Sequence, residues 1–167
     1  MRSEVLGDVV FFGYEKPKLD DDSEIYVWDL DKTYLDTSWQ TLSDLWRTIS
    51  EKSFQKRNVP GTATLVASVK ENWQRAHSDS RFPLYFITAS PPQMETNIRE
   101  KLEIDEILPL GMFFKDNLRN LHPTRWRRLT QQVGYKVQAL MQLRAKFNNE
   151  ITQVLWGDDS ETDATIY

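Results

Sequence analysis

No cysteine occurs in the 167 residues of this chain, which excludes disulfides, thiolate metal sites and a cysteine nucleophile. Any chemistry must come from carboxylates, hydroxyls, lysines or the two histidines. His77 and His122 have no partner at metal-ligand spacing, so both read as ordinary surface or loop histidines. Basic charge is also in short supply: 21 Lys and Arg against 25 Asp and Glu leave a formal net charge of -4. Neutralising a phosphate backbone needs a basic surface, so no nucleic-acid partner is expected from the overall charge. Long apolar runs are missing too. The N-terminal stretch MRSEVLGDVVFFGYEKPKLDDD has a short apolar patch broken by Gly7, Asp8 and Gly13 and followed by acid. That is neither a secretory h-region nor a spanning helix, and the chain reads as cytoplasmic.

What is present suits one folded unit. Hydrophobic residues make up 40%, with six Trp, six Tyr and eight Phe, and 28% of residues are charged. A domain of this size buries roughly two thirds of its unfolded surface, so one core is expected over 1–167, beginning near residue 24 after an N-terminal extension. Four apolar runs stand out at Ile25 to Trp28, Leu84 to Ile87, Met112 to Phe114 and Val154 to Trp156. Apolar throughout rather than alternating, they read as strands covered on both faces. Between them lie helical stripes: Leu42, Leu45, Trp46 and Ile49; then Leu65, Val66, Val69 and Trp73 after the breaker pair Pro60-Gly61; then Val133, Val137, Leu140, Met141 and Phe147. Strands alternating with helices predict an α/β fold with a largely parallel sheet.

In such a sheet, ligands bind beyond the carboxyl ends of the strands. Polar residues recur at those ends. IYVW runs into Asp29-Leu30-Asp31-Lys32-Thr33, LYFI into Thr88-Ala89-Ser90-Pro91, and QVLW into Gly157-Asp158-Asp159, with Asp163 close behind. Carboxylates gathered in one place repel one another and are retained where a hard cation such as Mg²⁺ holds them. A carboxylate can also attack phosphorus to form an aspartyl-phosphate. A second carboxylate two residues on can serve as acid, then base.

DLDKT resembles the first motif of the haloacid dehalogenase superfamily, FITAS its second, and WGDDSETD its fourth. The resemblance implies a Rossmann-like three-layer core with a parallel sheet and a phosphomonoesterase working through phospho-Asp29 with one Mg²⁺. Asp31 would be the acid and base, Thr88 would hydrogen-bond the transferring phosphoryl group, and Lys136, matching the third-motif lysine, would neutralise its charge. Metal ligation falls to Asp29, Asp31 and Asp158, with Asp163 supporting the loop or holding a metal-bound water. A narrower similarity runs from about Ile25 onward. ITASPPQM, VPGTATLVASVKE, GMFFKD and GDDSETDATIY resemble segments of the phosphatidate phosphatase catalytic domain of the actin-patch-associated family. Lys32, Thr88 and Ala164-Thr165 stand where that family commonly has Asp, Ser and Pro-Glu. The implied substrate is phosphatidate or a related lipid phosphate met at a membrane surface.

Several residues carry two readings. Lys136 begins the helix that leads back to the last strand, and Lys146 competes with it for the third-motif role. Ser90 either binds phosphate through its hydroxyl or caps the helix after Pro91-Pro92. The segment Pro123 to Arg128, with Arg125, Arg127 and Arg128 around Trp126, reads first as a helix start with solvated arginines and second as a patch for anionic lipid. Trp46 and Trp73 fit packing before substrate contact, and Trp39 could line a substrate entrance. About fifty-five residues separate the first two motifs, room for two helices and a small cap only; an open site suits a bulky substrate. A phosphatase of soluble or protein phosphomonoesters, and a silent phosphate-binding scaffold, are the rival readings. A core of this kind normally continues past such a last loop into a covering helix, so more chain is expected after Tyr167.

Overall fold

The computed structural model describes residues 2–16, 24–36, 57–77, 80–116, 133–147 and 151–158. The four apolar runs are strands: β3 (Glu24–Asp29), β4 (Leu84–Thr88), β5 (Gly111–Lys115) and β6 (Thr152–Trp156). All four lie parallel, in the order β5-β4-β3-β6. Every residue of β4 and β5 is buried, as their unbroken apolar sequences require. β6 flanks β3 with its central residues half-buried, and its Trp156 ring stacks on Trp28 at 4.6 Å between centroids and 3° between planes.

The sheet is mixed rather than largely parallel. β1 (Arg2–Leu6) and β2 (Val9–Gly13) form an antiparallel hairpin, and β2 pairs antiparallel with β5, giving six strands in the order β1-β2-β5-β4-β3-β6. The segment expected as an extension thus supplies two strands. Its turn is Gly7-Asp8 with Gly7 at φ +59°, the Gly-X arrangement that suits a two-residue hairpin. The β2–β5 seam is tight. Phe11 lies across Gly111, where a Cβ would come within 2.5 Å of the ring, and its ring sits 4.6 Å from that of Phe113.

Three helices cover the sheet among the described residues. α1 (Thr62–Ala76) starts at Gly61, whose φ of +87° needs a glycine, and buries Val66 and Trp73 two turns apart. α2 (Glu95–Ile104) follows a short 3₁₀ turn at Pro92–Met94, and α3 (Val133–Arg144) precedes β6. Strand pleating sorts the core into two clusters. Trp28, Leu84, Phe86, Met112 and Phe114 pack against α1 and α2, whereas Ile25, Val27, Tyr85, Ile87 and Phe113 pack against Tyr135, Ala139 and Leu143 of α3. No helix among the described residues is long and apolar enough to cross a membrane. The stripe from Leu42 to Ile49, Trp39 and the Asp20 to Asp22 run lie outside the described residues.

Candidate active site

Period two along β3 puts Asp29 on the same face as Ile25 and Val27, the face covered by α3. There it meets the first turn of α3. Lys136 Nζ lies 2.9 Å from Asp29 Oδ1, and both side chains are 2% exposed. A pair this deep is held in a medium where each charge needs the other, because an unpartnered buried ion is strongly unfavourable. Thr33 Oγ1 donates to the other oxygen, Asp29 Oδ2, at 3.1 Å.

The chain turns sharply after Asp29. Leu30 N donates to Ile87 O of β4 at 2.9 Å, and Tyr34 N and Leu35 N both return to Leu30 O. Lys32 takes the left-handed conformation at φ +61°, which is unfavourable for a side chain other than Gly, Asn or Asp; its N–H donates to Leu35 O at 2.8 Å. This turn aims Asp31 at the end of β4. Asp31 Oδ2 accepts from Thr88 Oγ1 at 2.6 Å and from Ala89 N at 2.8 Å, and Ser90 Oγ lies 3.4 Å from Oδ1. Beyond the turn, Tyr34 OH and Asn58 Nδ2 reach Asp105 Oδ2 at 2.7 and 2.9 Å, and Lys101 pairs with the same carboxylate. Burial raises the Asp105 pKa, but the hydrogen bonds from Lys101, Tyr34 and Asn58 outweigh it and hold the group below the usual carboxylate range. The loop after β3 is therefore anchored at both ends.

Five of the expected residues converge in this way: Asp29, Asp31, Thr88, Ser90 and Lys136. Two of them make contacts other than those expected. The Thr88 hydroxyl is directed at Asp31, and Ser90 does not cap the following turn, whose N-cap Pro91 has no side-chain partner; its N–H instead donates to Thr88 Oγ1 at 3.0 Å. Lys146 is on the far side of the third-motif choice: it pairs with Glu4 and lies 4.5 Å over the Phe11 ring. Asp158 follows β6, which is in register with β3 as Trp28 opposite Trp156, so it stands at the neighbouring strand end and is half-buried. Asp163, His122 and the Arg125, Arg127 and Arg128 segment fall outside the described residues. His77 stacks on buried Trp73 at 4.2 Å, its Nδ1 3.0 Å from the Trp73 carbonyl, a packing role for both rings.

Reading the sequence alone did not single out three residues here. Thr33 lay inside DLDKT without a role. Tyr135, beside Lys136, brings its hydroxyl to the carbonyls of Thr88 and Phe113 at 2.5 and 2.8 Å. Lys115 is buried at the carboxyl end of β5, its N–H 3.2 Å from Ser90 O. Burial pushes its pKa down to about 8, against the attraction of Asp8.

No group of three acidic or histidine side chains forms a metal cage among the described residues. That is compatible with magnesium, which takes one or two carboxylates and completes its shell with water and phosphate oxygens. Oxygen donors alone, from Asp29, Asp31 and the neighbouring Asp158, are the right chemistry for it.

Fold and site together define a mixed α/β protein with an acidic, lysine-paired centre at the carboxyl ends of parallel strands. The family model described as phosphatidate phosphatase APP1, catalytic domain, matches residues 25–167, and the chain belongs to that family. Membership supports phosphatase activity and a lipid phosphate as substrate. No curated protein and no solved structure matches the chain.

Proposed function

We propose that the chain is a phosphatidate phosphatase of the haloacid dehalogenase type, dependent on Mg²⁺ and working through a phosphoryl group carried by Asp29. The observation that carries this reading is the buried Asp29–Lys136 pair standing beside an Asp31 whose orientation is fixed by Thr88 and Ala89. An Asp29 oxygen attacks phosphorus, the ester P–O bond breaks, and the departing alcohol oxygen takes a proton from Asp31. In the second half, Asp31 takes a proton from water as the water oxygen attacks the same phosphorus, releasing phosphate and restoring the Asp29 carboxylate. Lys136 offsets the charge that builds on the phosphoryl oxygens. Mg²⁺, which supplies Lewis-acid stabilisation of those oxygens when bound, would be held by one or two of Asp29, Asp31 and Asp158, with Asp163 supporting the loop or holding a metal-bound water. Thr88 and Ser90, beside Asp31, would line the phosphate side.

The lipid part of the reading rests on the family, and binding of the acyl part away from phosphorus can then contribute to the transition state. The test is phosphate release from phosphatidate in mixed micelles, lysophosphatidate and para-nitrophenyl phosphate, each with magnesium and with chelator. Magnesium-dependent turnover with highest kcat/KM on phosphatidate is expected. Turnover of soluble monoesters without any of phosphatidate overturns the lipid substrate and leaves the mechanism. No turnover of any substrate by the magnesium-loaded protein favours a silent phosphate-binding scaffold.

A further inference from the structure

Lys136 has to meet Asp29 at hydrogen-bond distance from a different element, so something must set the depth and rotation of α3 on the sheet. Its other buried residues, Ala139 and Leu143, are one and two turns farther on and contribute only apolar contact. Apolar packing resists separation of the layers but is not directional. Near the site, among the described residues, the polar anchor is Tyr135. Its ring is 4% exposed, and its hydroxyl sits between two backbone carbonyls from different strands, Thr88 O at 2.5 Å and Phe113 O at 2.8 Å. One proton serves both oxygens in turn, because a phenol has a single O–H to donate.

These carbonyls lie where β4 and β5 finish, since the ladder between the two strands ends with Thr88 opposite Phe114. Consecutive residues on a helix point about 100° apart. Tyr135 therefore addresses the ends of β4 and β5 while Lys136 addresses the end of β3, and one helical turn spans three strand ends. The Thr88 carbonyl belongs to the same residue whose hydroxyl orients Asp31. We propose that Tyr135 is a positioning residue: its hydroxyl, set between the carbonyls of Thr88 and Phe113, fixes the first turn of α3 and so holds Lys136 against Asp29. It touches neither substrate nor metal in this role, and the inference rests on the phosphatase reading above.

Tyr135→Phe removes one oxygen and keeps the ring. Small misplacements of a catalytic group reduce rate by up to about 100-fold, so kcat on para-nitrophenyl phosphate is expected to fall about 10- to 100-fold, with KM changed less than about threefold. A purely structural tyrosine could lower activity through stability, so the deciding readout is a double-mutant cycle with Lys136→Gln, assayed below the melting transition of each variant. If Tyr135 acts through Lys136, its replacement costs little once Lys136 is gone, and the two losses are far from additive. Should the phenylalanine variant not fold, Tyr135→His, which keeps a ring with a donor, enters the same cycle. Wild-type turnover in a folded Tyr135 variant, or losses that add in full, overturns the proposal while leaving the phosphatase reading intact. An inactive wild-type protein overturns the phosphatase reading itself, and this inference with it.

Discussion

Lys136→Met tests the buried pair at the centre of the site. The substitution keeps a long flexible side chain in the space but leaves Asp29, 2% exposed, without its cation at 2.9 Å. Removing one partner of such a pair destabilises by about 3–5 kcal/mol, because the remaining charge is left in the interior. Each kcal/mol shifts the midpoint of a domain this size by about 2–4 °C, so a drop of about 6–20 °C is expected. Thr33 keeps one hydrogen bond to Asp29 Oδ2 and moderates the loss. Melting is followed by circular dichroism at neutral pH without added magnesium, so that no cation replaces the lysine. Asp29→Asn in the same protein removes the stranded charge, and Asp29→Asn/Lys136→Met is expected to recover at least half of the lost stability. Activity separates from stability in this set. Lys136→Met is expected to lose about 100- to 1,000-fold in kcat, the scale of one electrostatic stabiliser, and the double variant stays inactive although it melts higher. If Lys136→Met melts within a degree or two of wild type, and the double variant melts no higher than it, the pair does not hold in solution as described.

Asp31→Asn is expected to slow an alkyl phosphate much more than para-nitrophenyl phosphate, whose leaving group needs no proton, and equal losses would make Asp31 structural. Lys115 has a pKa depressed from 10.5 to about 8. Its unfolded form therefore holds more protons between those values, so stability rises as pH climbs from about 8 towards 10.5. The rise is on the order of 2 kcal/mol after solvent screening and should be absent in Lys115→Met, read from urea midpoints across that range. Gly111→Ala brings a Cβ to 2.5 Å from the Phe11 ring and 2.9 Å from Phe12 O. A loss of about 1–3 kcal/mol is expected, with opening of the β2–β5 seam detectable by faster amide exchange in β2.

The four parallel strands were legible because burial on both faces makes their sequences unbroken apolar runs, and α1 because its stripe follows helical spacing; α3 was legible as a helix but not in its seating, since Val133, Val137 and Met141 of the expected stripe are exposed and Tyr135, Lys136, Ala139 and Leu143 face the sheet instead. Strand ends were equally legible, since the polar residues begin where the apolar runs stop. The hairpin at Arg2–Gly13 was not legible as strands, although Leu6-Gly7-Asp8-Val9 carries a two-residue turn signal between apolar positions, because β1 is an edge strand with mostly exposed side chains and lacks an unbroken apolar run. α2 was legible only as a helix following Pro91-Pro92, without a buried face, because Glu95 and Lys101 occupy buried positions in it and break the apolar stripe. Their burial is supported by Tyr14, which is remote in sequence, and by Arg99 and Asp105, each four residues farther along the chain. Within the site, Asp29 and Lys136 stand out from motif resemblance, yet the contact between them is a fact of the pleat of β3 and the seating of α3. The orientation of Thr88 towards Asp31 depends on the left-handed turn at Lys32, which no spacing rule announces.

The most direct test of the account is to find the phosphoryl group on the chain. Asp31→Asn slows the second half-reaction, so the covalent form should accumulate when this variant is mixed with para-nitrophenyl phosphate and magnesium and quenched in acid. Borohydride reduction then converts an aspartyl-phosphate to homoserine, which peptide mass spectrometry locates. Homoserine at Asp29, absent from an Asp29→Asn control, is the predicted result. Reduction at another carboxylate, or none while the Asp31→Asn variant releases para-nitrophenol in a burst ahead of phosphate, would contradict Asp29 as the nucleophile.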